Sequence, residues 1–274
     1  MVKKTAPEVY ADSLRWHGHG LPLWAPELSN HGEVLVGDVG YIEGGGFYRL
    51  FNALHPADHN ANAKFGVPEG FEPLEIPEAA RIRRENIFMP GAYCSRSIRS
   101  SIVGGKIEVN TVGGGFEFKC SRDQRAVLVL KDSARSELVH ESKKHFTRYM
   151  LRNYKKWTAF QHGVLDEATI CVVYGWVKTA QWFVGAITQN GKSATVQFNG
   201  SFGPASAGIH VKVTREAYPQ FLHRAGPPLS GTAVSSTDAQ EEGSAKDQCI
   251  FVQYLKLKVT KFCGIDIGCL PVAV

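Results

Sequence analysis

Short runs of alternating or continuous apolar residues, separated by glycine and proline, dominate this chain of 274 residues. Residues 116–120 alternate strictly, residues 126–130 are continuously apolar, and residues 249–259 alternate again. Successive side chains of a strand point to opposite faces, so a period of two predicts half-buried strands. Because only one long helical pattern interrupts these runs, we predict an α+β fold with a mostly antiparallel, twisted sheet and short additional helices.

The helical pattern covers residues 133–157, with Asp132 or Ser133 as its N-cap. Residues 131–157 contain eight Lys or Arg and three Asp or Glu, a net charge of +5 that equals the net charge of the whole chain. This segment is either a solvated helix face or a surface for anionic partners, because cations near acidic lipids contribute about 1 kcal/mol each. The candidate lipid-binding residues are Lys143, Lys144, Arg148, Arg152, Lys155 and Lys156.

The rest of the sequence predicts a single domain over residues 1–274. Residues 1–33 are rich in Pro, Trp, Gly and His without a clear period, which indicates an extended N-terminal arm. Residues 225–247 are polar and predict a flexible loop, and residues 264–274 form an apolar tail. Asn190-Gly191 predicts a hairpin turn between the strands on either side of it.

The six cysteines are scattered and include no CxxC pair. The N-terminal residues carry positive charge without an apolar core behind them, unlike a secretory signal. We therefore expect free thiols and a cytoplasmic location. No apolar stretch reaches the roughly 18 residues of a membrane-spanning helix.

No motif in the sequence supports catalysis. Gly191-Lys192-Ser193 resembles the end of a phosphate-binding loop, but Ala186 occupies the position of the required glycine. The cluster His55, Asp58 and His59 is a weak metal candidate, because Pro56 excludes the helical register in which such ligands converge. We expect no catalytic residue, metal or cofactor, and hence no enzymatic activity.

Two regions of glycine-broken strands, residues 97–130 and 169–213, flank the basic helix. This arrangement resembles the pore-forming half of gasdermins. Residues 168–179 (Ala-Thr-Ile-Cys-Val-Val-Tyr-Gly-Trp-Val-Lys-Thr) are similar to the strand that follows the mid-domain helix of that family. Residues 250–257 are similar to its closing strand and residues 67–74 to an early loop, whereas Gly175 stands where the family has an acidic residue.

The resemblance implies a pore-forming protein of cell death. Such a protein stays in solution until it is activated, binds acidic lipids through its basic helix, associates with the membrane and forms a homo-oligomer. The two strand regions would become amphipathic transmembrane hairpins. Nucleic acid is not expected as a partner, since no recognisable DNA- or RNA-binding motif accompanies the basic segment.

A second resemblance gives an alternative. Residues 37–42 (Gly-Asp-Val-Gly-Tyr-Ile) and 47–52 (Phe-Tyr-Arg-Leu-Phe-Asn) are similar to a family of uncharacterised fungal proteins. Under this interpretation the chain is a non-enzymatic cytosolic binding or interaction module.

Overall fold

The computed structural model describes residues 4–94, 115–120, 126–160, 170–188, 196–202, 209–215, 221–227, 245–262 and 265–273. The described residues form two compact units. The first unit takes its residues from Met1–Gly18, Asn86–Ala134 and Lys178–Gln248, and the second from His19–Glu85, Arg135–Val177 and Cys249–Val274. The single domain expected from the sequence stays a prediction.

The described part of the chain contains two α-helices, three short 3-10 helices and fifteen strands. The α-helices are α1 (Ala6–Leu14) and α2 (Ser142–Phe160), and the 3-10 helices are Arg15–His17, Asn60–Asn62 and Glu78–Ala80. The strands are β1 (Leu21–Pro22), β2 (Asp38–Glu43), β3 (Gly46–Asn52), β4 (Arg81–Phe88), β5 (Gly91–Cys94), β6 (Gly115–Cys120), β7 (Ala126–Leu130), β8 (Ala134–Val139), β9 (Cys171–Thr179), β10 (Trp182–Ile187), β11 (Val196–Phe202), β12 (Ile209–Arg215), β13 (Phe221–Gly226), β14 (Gln248–Phe262) and β15 (Ile265–Ala273).

The first unit contains a four-stranded antiparallel sheet in the order β13-β10-β7-β5, against which α1 packs. All five residues of β7 are buried, as expected for a continuously apolar strand. The helix buries residues spaced by three or four positions, which is the period of a helix face: Ala6, Val9, Tyr10 and Leu14. A separate three-stranded antiparallel sheet has the order β12-β11-β6.

The second unit is built around a larger sheet with the central order β1-β14-β9-β2-β3. At its periphery β15 pairs with β14, β8 pairs with β9, and β4 pairs with β8. Strand β14 lies between two neighbours, and Ile250, Phe251, Val252 and Leu255 on it are fully buried. The predicted α+β class with mostly antiparallel strands is therefore confirmed.

The predicted helix over 133–157 is wrong in its first part, because Ala134–Val139 forms β8 and α2 begins only at Ser142. All residues of 134–139 are buried or half-buried, and Arg81 of the neighbouring strand β4 pairs with Glu137 at 3.0 Å. The pairing of β8 with β4 and β9, together with this ion pair, outweighs the modest helix propensity of the segment. The helix therefore has 19 residues and extends to Phe160.

The extended arm predicted for residues 1–33 is also wrong at its start, where α1 and a 3-10 turn lie. The signal in the sequence is a capping box, since the backbone N–H of Thr5 donates to the Glu8 carboxylate at 2.7 Å. That hydrogen bond lowers the pKa of Glu8. Pro7 in the first turn suits a helix start as well, because proline lacks the N–H that would be unpaired there.

The hairpin predicted at Asn190-Gly191 is not formed, because β10 and β11 belong to different sheets. The turn itself lies outside the described residues, as do most of the 97–130 and 225–247 segments. Strands β6 and β7, both from the 97–130 region, likewise lie in different sheets. The apolar tail supplies β15, which is antiparallel to β14.

Cys94, Cys171 and Cys249, the cysteines whose side chains are described, are buried free thiols. Burial raises the pKa of Cys171 to about 12, and its thiol donates to the carbonyl oxygen of Gly40. A protonated, inaccessible thiol is a poor nucleophile.

We predict that these three thiols do not react with a thiol reagent in the native protein at about pH 8, well below the pKa of Cys171. Native titration should count at most the other three sulfurs, and titration in denaturant should count all six. Two or more sulfurs that react only after treatment with dithiothreitol would contradict the prediction of free thiols.

Candidate functional site

Helix α2 packs against the rest of the second unit through an aromatic and apolar face. Phe146, Met150 and Trp157 are fully buried, and the Trp157 ring lies 5.7 Å from Phe51 of β3. Burial raises the pKa of Tyr149 to about 12, so its hydroxyl stays protonated and donates to the carbonyl oxygen of Glu72 at 2.8 Å. These contacts fix which face of α2 remains exposed.

All the residues of α2 that carry a full charge are basic. Between Ser142 and Phe160 there are six Lys or Arg and no Asp or Glu. The three acidic residues of the 131–157 segment therefore lie outside the helix, as do Lys131 and Arg135. The guanidinium of Arg135 lies over the Trp176 ring at 5.7 Å instead. The corrected boundary makes the helix more cationic than the sequence pattern suggested.

The predicted lipid-binding residues fall on this helix. Lys144 is exposed and lies 3.4 Å from the Glu141 carboxylate. The other exposed cations of α2 are Arg148, Arg152, Lys155 and Lys156. No carboxylate of the described residues forms an ion pair with them. The backbone of Lys143 belongs to α2, and its side chain lies outside the described residues.

A shallow pocket of about 260 Å³ lies along this face, between α2 and Leu74. Lys144, Arg148 and Arg152 are spaced by four residues, which places them in one row along the helix. His145 and Tyr149 complete the lining. The row presents several cations to one small volume, a suitable arrangement for an anionic group.

The metal candidate does not assemble into a site among the described residues, where no group of three metal-binding side chains is found. The rings of His55 and His59 stack at 3.9 Å and 9°, so their faces rather than their nitrogens meet. Nδ1 of His59 accepts a hydrogen bond from the N–H of Ala61 at 3.1 Å, which caps a 3-10 helix. Asp58 is exposed.

A larger cleft, of about 810 Å³, opens beside the C-terminal end of α2. We call it the α2 cleft. Its floor comes from the β2–β3 hairpin, one wall from α2, and the other wall from the loops that carry His31 and Phe65. A neighbouring pocket of about 430 Å³ shares both of these loop residues. The cleft is lined by His31, Tyr41, Arg49, Leu50, Phe65, Glu69, Gly70, Lys156, Ala159 and Phe160.

Arg49, on the cleft floor, belongs to a buried polar network. Its Nε lies 2.7 Å from Oδ1 of Asp38, and both side chains are almost fully buried. Its guanidinium also donates to the carbonyl oxygen of Glu33. The amide of Asn52 donates to Asp38 at 2.8 Å and to the carbonyl oxygen of Val36 at 3.0 Å. The two strands of the hairpin are thereby joined through their side chains.

Asn62 extends this network into the loop that forms the cleft wall. Its side-chain oxygen accepts from the N–H of Asn52 at 2.6 Å, and its NH₂ lies 2.9 Å from the carbonyl oxygen of Pro56. Asn62 is 1% exposed. One side chain thus satisfies backbone groups at the end of β3 and at the start of the loop that leads to Phe65.

The residues of the α2 cleft lie between positions 31 and 160 and follow no common spacing, so no sequence motif identifies them. The sequence signal that could have pointed to the cleft is the type of certain residues, not their spacing. Asp38 begins β2, Arg49 lies within β3 and Asn52 ends β3. Charged or amide side chains next to apolar residues of a strand need partners when the strand is buried.

Comparison of the chain with protein-family models, with curated proteins and with solved structures gives no match. None of the helices in the described ranges is both long and apolar enough to cross a membrane. Gly175, where gasdermins have an acidic residue, is buried on β9. A Cβ atom there would lie 2.8 Å from Oε1 of Gln253 and 2.9 Å from Cβ of Leu138, so this position excludes a larger side chain.

We predict that Asn62→Ala lowers the free energy of unfolding by about 1–3 kcal/mol, because it leaves the buried N–H of Asn52 without its acceptor. Urea denaturation followed by fluorescence measures the change. The matched control is Asn60→Ala, two residues earlier and exposed, which should change stability by less than about 0.5 kcal/mol. Equal losses in both variants would show that the network does not stabilise the loop.

Proposed function

We propose that this protein binds acidic lipid membranes through the basic face of α2 and permeabilises them. The observation that carries the first half is the division of α2 into two faces. One face is anchored by buried Phe146, Met150 and Trp157, and the other exposes cations without any carboxylate on the same helix. The resemblance to gasdermins supports the second half.

The magnitude of the attraction suits a regulated, reversible contact. Four exposed cations at about 1 kcal/mol each give roughly a thousandfold increase in partition onto an anionic surface. The charges act over a Debye length of about 8 Å at physiological salt, so the contact is short-ranged. Stable membrane attachment then requires a second contribution, which we assign to inserted strands and to a homo-oligomer formed on activation.

The apolar tail is the segment that would hold the protein inactive. Its strand β15 lies beside α2 and pairs with β14. A cut within 225–247 would leave β15 covalently joined to β14, which lies inside the larger sheet. We therefore propose that activation separates β15 from β14 and α2, rather than releasing a fragment.

The alternative is a non-enzymatic interaction module that uses the same basic face without insertion. The row of Lys144, Arg148 and Arg152 along a small pocket favours it, since that geometry also suits a peripheral anionic partner. Binding to vesicles without leakage of their contents distinguishes this alternative from pore formation.

We predict that the double variant Arg148→Gln/Lys155→Gln binds phosphatidylserine-rich vesicles about 30-fold more weakly, because it removes two cations worth about 1 kcal/mol each. Cosedimentation at physiological ionic strength measures the partition coefficient. Raising the salt to about 1 M, where the Debye length is about 3 Å, should abolish most of the wild-type binding.

The matched control for this experiment is Lys4→Gln/Arg15→Gln, which makes the same change in net charge at exposed positions beside α1. It should bind within about twofold of the wild-type chain, since neither Lys4 nor Arg15 belongs to the basic face of α2. Equal weakening in both double variants would mean that net charge, and not the α2 face, governs binding. Absence of binding by the wild-type chain would refute the proposal.

We further predict that a chain ending at Phe262, which lacks β15, releases dye from these vesicles faster than the full chain. The reason is the loss of the strand beside α2. The control is a full chain cut at a protease site introduced within 228–244, which retains β15 and should leak at the full-chain rate. Circular dichroism and the protection of the buried thiols verify that the shortened chain is folded. Equal leakage by the folded shortened chain and the full chain contradicts the role of the tail.

A further inference from the structure

The α2 cleft has the dimensions of a small-molecule site. Its volume of about 810 Å³ lies within the range of roughly 300–1,000 Å³ that is typical of ligand pockets. All its walls belong to the second unit, and the Asp38–Arg49 ion pair and Asn62 fix its floor and one wall. A cleft held by such a network is largely formed before any ligand arrives, which reduces the ordering cost of binding.

Aromatic rings line the cleft on several sides. Phe65 is 48% exposed although it is one of the largest apolar side chains of the loop. The His31 ring stacks on it at 5.0 Å and 28°. Tyr41 lies on the floor and Phe160 on the α2 wall. Flat faces around a shared volume favour a planar aromatic ligand, because ring pairs gain energy beyond the area they bury.

Arg49 pairs with Asp38, so Lys156 is the cation without a carboxylate partner among the described residues that line the cleft. Lys156 lines it, with its Nζ 3.5 Å from the carbonyl oxygen of Gly70, and Lys64 lines the neighbouring pocket. Burial together with the positive charges of Lys64 and Arg49 lowers the pKa of His31, so this ring is neutral at neutral pH. The carboxylate of the lining, Glu69, belongs to an exposed residue. The field therefore favours an anionic group near Lys156.

We propose that the α2 cleft is a binding site for a planar aromatic molecule that carries one anionic group, a carboxylate or a phosphate. The ring lies against Phe65, and the anionic group is paired with Lys156. This inference needs no lipid, and Lys156 is the residue that it shares with the proposed membrane-binding face.

Isothermal titration calorimetry of the full chain tests the proposal with four probes. The first two are 2-naphthoate and 1-naphthyl phosphate, which separate the carboxylate from the phosphate arm. The other two are cyclohexanecarboxylate, which lacks the aromatic ring, and 2-naphthylmethylamine, which reverses the charge. We expect at least one naphthyl anion to bind with a Kd below about 100 µM, and both control probes to bind at least about tenfold more weakly.

Two matched pairs of variants locate the site. Phe65→Ala should weaken binding about tenfold, whereas Leu28→Ala, at another exposed apolar residue of the same unit, should change it by less than about twofold. Lys156→Gln should weaken binding about tenfold, whereas Lys155→Gln, which makes the same charge change one residue away and outside the lining, should not. The proposal is overturned if neither naphthyl anion binds up to about 1 mM. Equal binding of a control probe, or equal effects within either pair, overturns it as well.

Discussion

The buried ion pair between Asp38 and Arg49 is the interaction on which the second unit depends most. Two charges removed from water are stable only when their remaining hydrogen-bond donors and acceptors are paired. Removing one partner of a buried ion pair typically lowers the free energy of unfolding by about 3–5 kcal/mol. Here Asn52 and the N–H of Leu35, 2.7 Å from Asp38, donate to the carboxylate, and the guanidinium of Arg49 donates to the carbonyl oxygen of Glu33. The pair thus orients the hairpin, and through Asn62 it positions the loop against which α2 and the cleft are built.

Helix α2 has two roles because its two faces are so different. Its aromatic face joins it to Phe51 and to the loop at Glu72, so the orientation of the helix follows from packing and from one phenolic hydrogen bond. The exposed cations lie on the part of the helix surface that this packing leaves uncovered. Adjacent lysines then enter different environments, with Lys156 in the lining of the cleft and Lys155 outside it. The cations of this helix therefore differ in their surroundings, so the proposed membrane binding and the proposed ligand binding can be tested separately by mutation.

Local patterns predicted the strands well and the partners of those strands poorly. The apolar run at 126–130 and the alternation at 249–259 match β7 and β14, because burial on one or both faces leaves a direct trace in the sequence. The segment 134–139 reads as a helix but forms β8, since its neighbours β4 and β9 come from distant positions. The cleft has no signature in the sequence for the same reason. Asp38, Asn52 and Asn62 acquire their roles only when the loop folds back on the hairpin.

The interior position of β14 has a consequence for folding during synthesis. This strand joins β1 to β9, which are encoded about 230 and 80 residues earlier, so the larger sheet remains open until residues 248–262 have left the ribosome. Until then the inner edges of β1 and β9 expose unpaired backbone groups, the feature that makes strands prone to association with other chains. Strands so distant in sequence also pair slowly, because the chain loses the entropy of closing a long loop before the strands gain any contact energy. The nascent chain should therefore be a substrate for chaperones that shield strand edges, even though the finished protein keeps β14 in the centre of its sheet.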